Sequence, residues 1–227
     1  MIVMEQQRGY FARMAEFVRR GSIPGCFPAL GASAAVFTTM LLVDPGLQVA
    51  VQSIHTPLVL DLVHFGGWLG QGTSLWVILL GIYAAAMIFR HTAVKVAAFG
   101  CVVSAALASV LSSIIKWTVA RARPNANLGH LSFFHWSETL RNHARFQSFP
   151  SGDVVIVAAV AWYFFYRCRK AHLSVRLILF ILPLATACSR VLLNKHWPSD
   201  VIFSIGLAWA AAQCVVRYEK FYGTGDY

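Results

Sequence analysis

Six apolar runs, each free or nearly free of charge, punctuate the 227-residue chain. They fall at 27–43, 73–89, 96–115, 154–166, 177–193 and 201–216. A helix rises about 1.5 Å per residue, so runs near twenty residues match the roughly 30 Å of hydrocarbon in a bilayer. The last three are short, which leaves their ends loosely defined. Composition agrees, with 58% of residues hydrophobic and 12% charged, a charged share about half that of a soluble domain. A mean hydropathy of +0.61 in 25.1 kDa is more aliphatic surface than a globule of that size hides from water. The fold class expected is all-α, an integral-membrane bundle of six transmembrane helices.

The basic residues supply an independent test. With a cytoplasmic N-terminus, Arg8, Arg13, Arg19, Arg20, Arg90, Lys95, Arg167, Arg169, Lys170, Arg176, Arg217 and Lys220 all fall on one side, twelve of the nineteen. Residues 44–72, on the other side, contain no Lys or Arg. This is the positive-inside pattern, and it predicts both termini in the cytoplasm of a cell whose plasma (inner) membrane holds the protein. The remaining seven, Lys116, Arg121, Arg123, Arg141, Arg145, Arg190 and Lys195, gather in two segments on the external face. A basic cluster placed against the rule reads either as an anion site for a lipid phosphate or as contacts to anionic headgroups.

The formal charge of +10 does not point to nucleic acid, because the cations are divided between two faces and form no continuous stripe. Polar residues gather at one end of the spans, which argues against a channel. Tyr10, Phe11, Met14, Phe17 and Val18 recur at helical spacing among Arg13, Glu16, Arg19 and Arg20. That predicts an interfacial helix within residues 1–26, ahead of the six-span unit at 27–227. The arginines there also interrupt any secretory signal. Cys26, Cys101, Cys168, Cys188 and Cys214 lie within or beside apolar runs and read as small apolar fillers.

Reactive side chains concentrate in two connections, 116–153 and 189–200. Lys116 and Arg123 are seven apart, on one face if helical, with Pro124 ending the helix. Arg121 then points elsewhere, toward a headgroup or water. Ser151-Gly152-Asp153 opens the fourth run; a Ser-Gly pair there offers a hydroxyl and free N–H groups to an anion, or simply caps the helix. His196 and Asp200 are four apart, so in a helical turn the carboxylate would fix the imidazole tautomer and free the other nitrogen for attack. Arg190 offers a bidentate clamp for phosphate.

Taken together the three segments resemble the type 2 phosphatidic acid phosphatase family, whose signature reads Lys-x6-Arg-Pro, Pro-Ser-Gly-His and Ser-Arg-x5-His-x3-Asp. Lys116, Arg123 and Pro124 match the first, Pro150, Ser151 and Gly152 match three of the four positions in the second, and Ser189, Arg190, His196 and Asp200 match the third. The resemblance implies a lipid phosphatase without metal or cofactor, working at the external face. It implies His196 as a nucleophile forming a phosphohistidine and oriented by Asp200. It also implies Lys116, Arg123, Ser151, the Gly152 N–H and Arg190 as the phosphate-binding set.

Asp153 stands where the family has His, the residue thought to protonate the leaving oxygen. An Asp beside Lys116, Arg123 and Arg190 is expected to stay ionised, and thus to be a poor acid. A substrate whose leaving group departs as a stable anion needs no such proton, as when a polyprenyl diphosphate loses its outer phosphate. Lipid A and a phospholipid phosphate are the other substrate classes expected. His130, His135 and His143 are the alternative acids. A phosphotransferase passing the group to another lipid or glycan, and a phosphate-lipid binding or transport protein without turnover, are the competing readings.

Overall fold

The computed structural model describes residues 27–54, 71–167 and 172–221, together with positions 16, 61, 63, 64 and 67. The interfacial helix expected over residues 1–26 lies, apart from position 16, outside the described residues. Each of the six apolar runs is a helix. In chain order the described helices are α1 (Phe27–Leu41), α2 (Asp44–Gln52), α3 (Gly72–Ile88), α4 (Thr92–Val119), α5 (Trp136–Arg141), α6 (His143–Phe146), α7 (Gly152–Arg167), α8 (Leu173–Leu192) and α9 (Pro198–Phe221).

The boundaries follow local chemistry. Ala120 takes a left-handed φ of 43° and ends α4, well before Pro124. Asp44-Pro45 does not simply turn the chain. It starts α2, with the proline in the first helical turn where its missing N–H costs nothing, and α2 lies at 71° to α1. Among the described residues three helices, those beginning at Thr92, Leu173 and Pro198, are long and apolar enough to cross a membrane; the bent α1–α2 pair makes a fourth if counted as one span.

The α7 helix is central, packing on α4, α8 and α9, while α9 also meets α1 and α4. The inward positions are small: Ala105, Ala108, Ala158, Ala159, Ala208 and Ala212 are fully buried. Large apolar residues such as Val77, Ile78, Met87, Ile114, Ile178 and Ile181 point outward. This distribution suits helices in lipid, where outward burial has no hydrophobic cost and close backbone approach supplies the association energy. At the end of α7 remote from Gly152, Tyr163 donates from its hydroxyl to Glu219 at 2.8 Å. The opposite end of α7 carries the polar segments.

Candidate active site

Residues 120–150 fold back over the ends of α4, α7 and α9 through backbone bonds. The N–H groups of Ala122, Arg123 and Ser148 reach the carbonyls of Ser132 (2.9 Å), Arg145 (2.9 Å) and Arg121 (3.0 Å). The Trp197 indole donates to the Ala122 carbonyl at 3.0 Å, which ties the α8–α9 connection to the same loop. The two sequence-distant connections thus form one layer.

Beneath that layer lies a buried charge network. The Arg121 side chain is fully buried. Its Nη1 donates to Asp200 Oδ1 (2.5 Å) and Ser199 Oγ (2.7 Å), its Nη2 to Asp44 Oδ2 (2.7 Å) and the His130 carbonyl (2.7 Å), and its Nε to that same carbonyl (3.0 Å). All the guanidinium donors are engaged. Ser199 in turn donates its N–H to Asp44 Oδ1 at 2.8 Å and its hydroxyl to Asp44 Oδ2 at 2.5 Å. Two buried carboxylates share one guanidinium, an arrangement that survives burial because every polar atom has a partner.

His196 sits on this network. Its Nδ1 is 2.6 Å from the Ser148 carbonyl; a carbonyl only accepts, so Nδ1 carries the hydrogen and Nε2 keeps the lone pair. Burial, followed by the fields of Lys116 and Arg123, holds the imidazole pKa well below the usual histidine value, although the Ser148 bond works the other way. The ring is therefore neutral at physiological pH.

Cations and open donors surround it. Lys116 donates to the Gln147 carbonyl at 3.1 Å, and its Cε would stand 3.7 Å from a Cβ built on Gly152. The Ser151 N–H is taken by Ser204 Oγ at 2.8 Å, whereas Ser151 Oγ and Arg123 Nε are buried without a hydrogen-bond partner. Ser151 therefore does not use its hydroxyl as a helix cap. Asp153 accepts the Gly72 N–H on Oδ1 at 2.9 Å and pairs through Oδ2 with Arg190 Nε at 3.1 Å. Arg190 Nη2 donates to the Gly67 carbonyl at 2.9 Å.

The structure thus brings Lys116, Ser151, Gly152, Asp153, Arg190 and His196 into one cluster, with Arg123 close enough for its charge to act on His196. Three local expectations are corrected. Lys116 and Arg123 do not share a helical face, because α4 ends at Val119 and Arg123 is extended at φ −73°, ψ 157°. Asp200 does not hydrogen-bond the imidazole. His196 precedes the first turn of α9, so the spacing of four is not helical, and the Asp200 carboxylate is taken by Arg121, the Ser148 hydroxyl (2.5 Å) and the Trp197 N–H (3.0 Å). Arg121 meets neither headgroup nor water.

Of the alternative acids, His135 bonds Ser132 Oγ at 2.6 Å. The His130 ring stands edge-on to Trp197, 6.2 Å between centroids. The His143 side chain lies outside what is described. Sequence reasoning missed Asp44 and Ser148. The Asp-Pro helix start was visible for the first; nothing marked the second, which acts through its carbonyl.

A family model for the PAP2 superfamily matches residues 97–222, 126 of the 227, and includes all three motif segments. Over 117 residues the chain is 31% identical to a lipid A 1-phosphatase of Rhizobium etli, covering 49% of this chain and 46% of that one. Over 108 residues it is 32% identical to an Escherichia coli K12 protein provisionally named undecaprenyl-diphosphatase YbjG, covering 44% and 48%. The chain thus matches less than half the length of these curated relatives. Its fold is similar to the crystal structure of a transmembrane PAP2-type phosphatidylglycerolphosphate phosphatase from Bacillus subtilis, with a TM-score of 0.66 at 20% identity over 88% of this chain and 96% of that one. The chain belongs to the PAP2 superfamily, and it is an all-helical integral membrane protein.

Proposed function

We propose that this protein is a membrane lipid phosphatase that removes a phosphoryl group through a phosphohistidine on His196. The observation that carries the reading is the state of that ring: neutral, with Nδ1–H given to the Ser148 carbonyl and the Nε2 lone pair free among Lys116, Arg123 and Arg190. Nε2 attacks phosphorus, the bond to the leaving oxygen breaks, and its electron pair departs with that oxygen. Water then attacks the phosphohistidine, the pair of the P–N bond returns to Nε2, and both water protons leave on inorganic phosphate.

Lys116, Arg123, Arg190, Ser151 Oγ and the Gly152 N–H hold the non-bridging oxygens, where developing charge is greatest. Asp200 and Arg121 set the position of Ser148. Asp153 gives its carboxylate to Arg190, so the favoured substrate is a lipid diphosphate whose monophosphate product needs no proton to leave. Residues 27–227 form one six-span unit, with the cluster at the external face of a bacterial inner membrane and the termini in the cytoplasm. The excess of arginine and lysine in the connections of the other face supports that orientation.

The test is trapping. The purified full chain, mixed with a polyprenyl diphosphate labelled in its outer phosphate and quenched in alkali, is expected to carry base-stable, acid-labile label that His196→Gln abolishes. Label that persists in the variant, or phosphate release without any labelled protein, rejects the mechanism.

A further inference from the structure

Beside the phosphate cluster is a second concavity of about 410 Å³, lined by His64, Gly67, Gln71, Arg190, Leu193 and Lys195. Its volume falls within the roughly 300–1,000 Å³ of small-ligand sites. Arg190 belongs to both, touching Asp153 through Nε and the Gly67 carbonyl through Nη2. The turn after α8 makes this sharing possible. The Arg190 carbonyl accepts from the N–H groups of both Lys195 (3.1 Å) and His196 (3.3 Å). Asn194 adopts a left-handed φ of 57° and its side-chain oxygen takes Gln48 Nε2 at 2.8 Å. Consecutive residues thereby serve adjacent spaces: His196 is buried in the phosphate cluster, and Lys195 lines the concavity.

The charges around that space do not balance. Lys195 has its pKa lowered by burial first and then by Arg190, with Asp153 opposing and Arg123 adding to the effect. Asp200 offers little relief, because Arg121 already holds it. Asp153 is divided between Arg190 and the Gly72 N–H. Among the described residues, Lys116, Arg123, Arg190 and Lys195 therefore share Asp153 as the one available carboxylate. One phosphate in reach of His196 would leave Lys195 on the far side of Arg190 without an anion.

We infer that this concavity is a subsite for a second phosphate group bonded to the first, with Lys195 and Arg190 as its cationic ligands. The inference rests on His196 receiving the outer phosphoryl group, and it narrows the substrate to the diphosphate class. When the bridging P–O bond breaks, its electron pair stays on the inner phosphate. That group leaves as an anion already facing Lys195 and Arg190, which do the work that a proton donor at position 153 would otherwise do. His64 and Gln71 complete the lining of the concavity.

Two measurements on the full chain in nanodiscs test this. First, inorganic pyrophosphate and orthophosphate are titrated calorimetrically into the His196→Gln protein, which cannot turn over. Pyrophosphate should bind at least about tenfold tighter, the order of one charge-assisted contact. Lys195→Gln added to that background should erase the difference, and Lys195→Arg should keep it. Equal affinity for the two anions, or a Lys195→Gln loss equal on both, overturns the subsite. Second, phosphate release is followed from a polyprenyl diphosphate and from the matching monophosphate. Lys195→Gln in the active protein should raise KM for the diphosphate about tenfold more than for the monophosphate, and an equal rise overturns the assignment. If no lipid is turned over, the phosphatase reading fails while the calorimetric arm still decides the subsite.

Discussion

Ser148 holds His196 through its carbonyl, 2.6 Å from Nδ1, and is itself held by Asp200, whose Oδ2 accepts the Ser148 hydroxyl at 2.5 Å. The carboxylate therefore orients the imidazole at one remove. A carbonyl has no protonation state in the working range, so the tautomer it selects does not change with pH. Asp200 also takes the Trp197 N–H at 3.0 Å, which fixes the residue next to His196. One carboxylate thus positions the ring from both sides.

The low pKa of His196 has a consequence for stability. In the unfolded chain the residue titrates near 6.5, whereas in the fold it stays neutral well below that value. As pH falls through that window the unfolded chain binds the extra proton, so stability is complete above about 6.5 and is lost on acidification. Thermal unfolding midpoints of the detergent-solubilised protein should decline between about pH 7 and 5. His196→Gln should decline less, and parallel curves for the two proteins would contradict a buried neutral ring.

The Arg121 network predicts a strong asymmetry between its members. Arg121→Met leaves Asp44 and Asp200 buried without their cation and should cost about 3–5 kcal/mol. Arg121→Lys recovers little, because an ammonium cannot replace the fork that engages Asp44, Asp200 and the His130 carbonyl together. Asp44→Asn keeps an acceptor for the Ser199 N–H and should cost about 1–3 kcal/mol. Asp44 reaches His196 only by way of Arg121, Asp200 and Ser148, so in Asp44→Asn the loss of activity should appear in kcat, with KM for the lipid nearly unchanged.

The helices and the cluster were legible in the sequence for different reasons. Six apolar runs became helices because a helix satisfies the backbone N–H and C=O groups of an apolar stretch within the segment itself, and their ends moved by a few residues from where the apolar pattern stops. Lys116, Ser151, Gly152, Arg190 and His196 could be grouped because together they match the family's three-segment signature; charge at a membrane edge marked only the basic members. What failed were inferences from helical spacing beyond a helix end. Ala120 breaks the register before Arg123, and His196 lies ahead of α9. Asp44 and Arg121 are 77 positions apart, and no local pattern reports a pair closed by tertiary folding. Ser148 contributes a backbone oxygen, which every residue has.

Asp153 supplies the sharpest functional contrast. It competes with a substrate phosphate for Arg190, so Asp153→Asn should lower KM for a lipid diphosphate, as one anion leaves the site. It should change kcat on that substrate little. Asp153→His introduces a proton donor where the monophosphate ester needs one, and should raise turnover of a lipid monophosphate by up to about 10²-fold. Steady-state phosphate release from both lipids by the three proteins decides the matter. A fall of kcat on the diphosphate in Asp153→Asn would show that the carboxylate takes part in the chemistry.

The small-residue packing of the bundle can be tested apart from the site. A Cβ on Gly206 in α9 would overlap Ser33 of α1, reaching within 2.6 Å of its Cβ, so the two helices meet at a crossing with no room for a methyl group. Gly206→Ala should therefore destabilise by about 1–3 kcal/mol through overpacking, read as a lower unfolding temperature in detergent. Gly81 in α3 has nothing within 4 Å of such a Cβ, and Gly81→Ala should be neutral or stabilising by up to about 1 kcal/mol, since alanine favours the helix. Ser33→Gly combined with Gly206→Ala restores the missing space, and should recover part of the loss because the two positions are in contact and their effects are not additive. Strict additivity in that pair would mean that α1 and α9 do not cross at these residues.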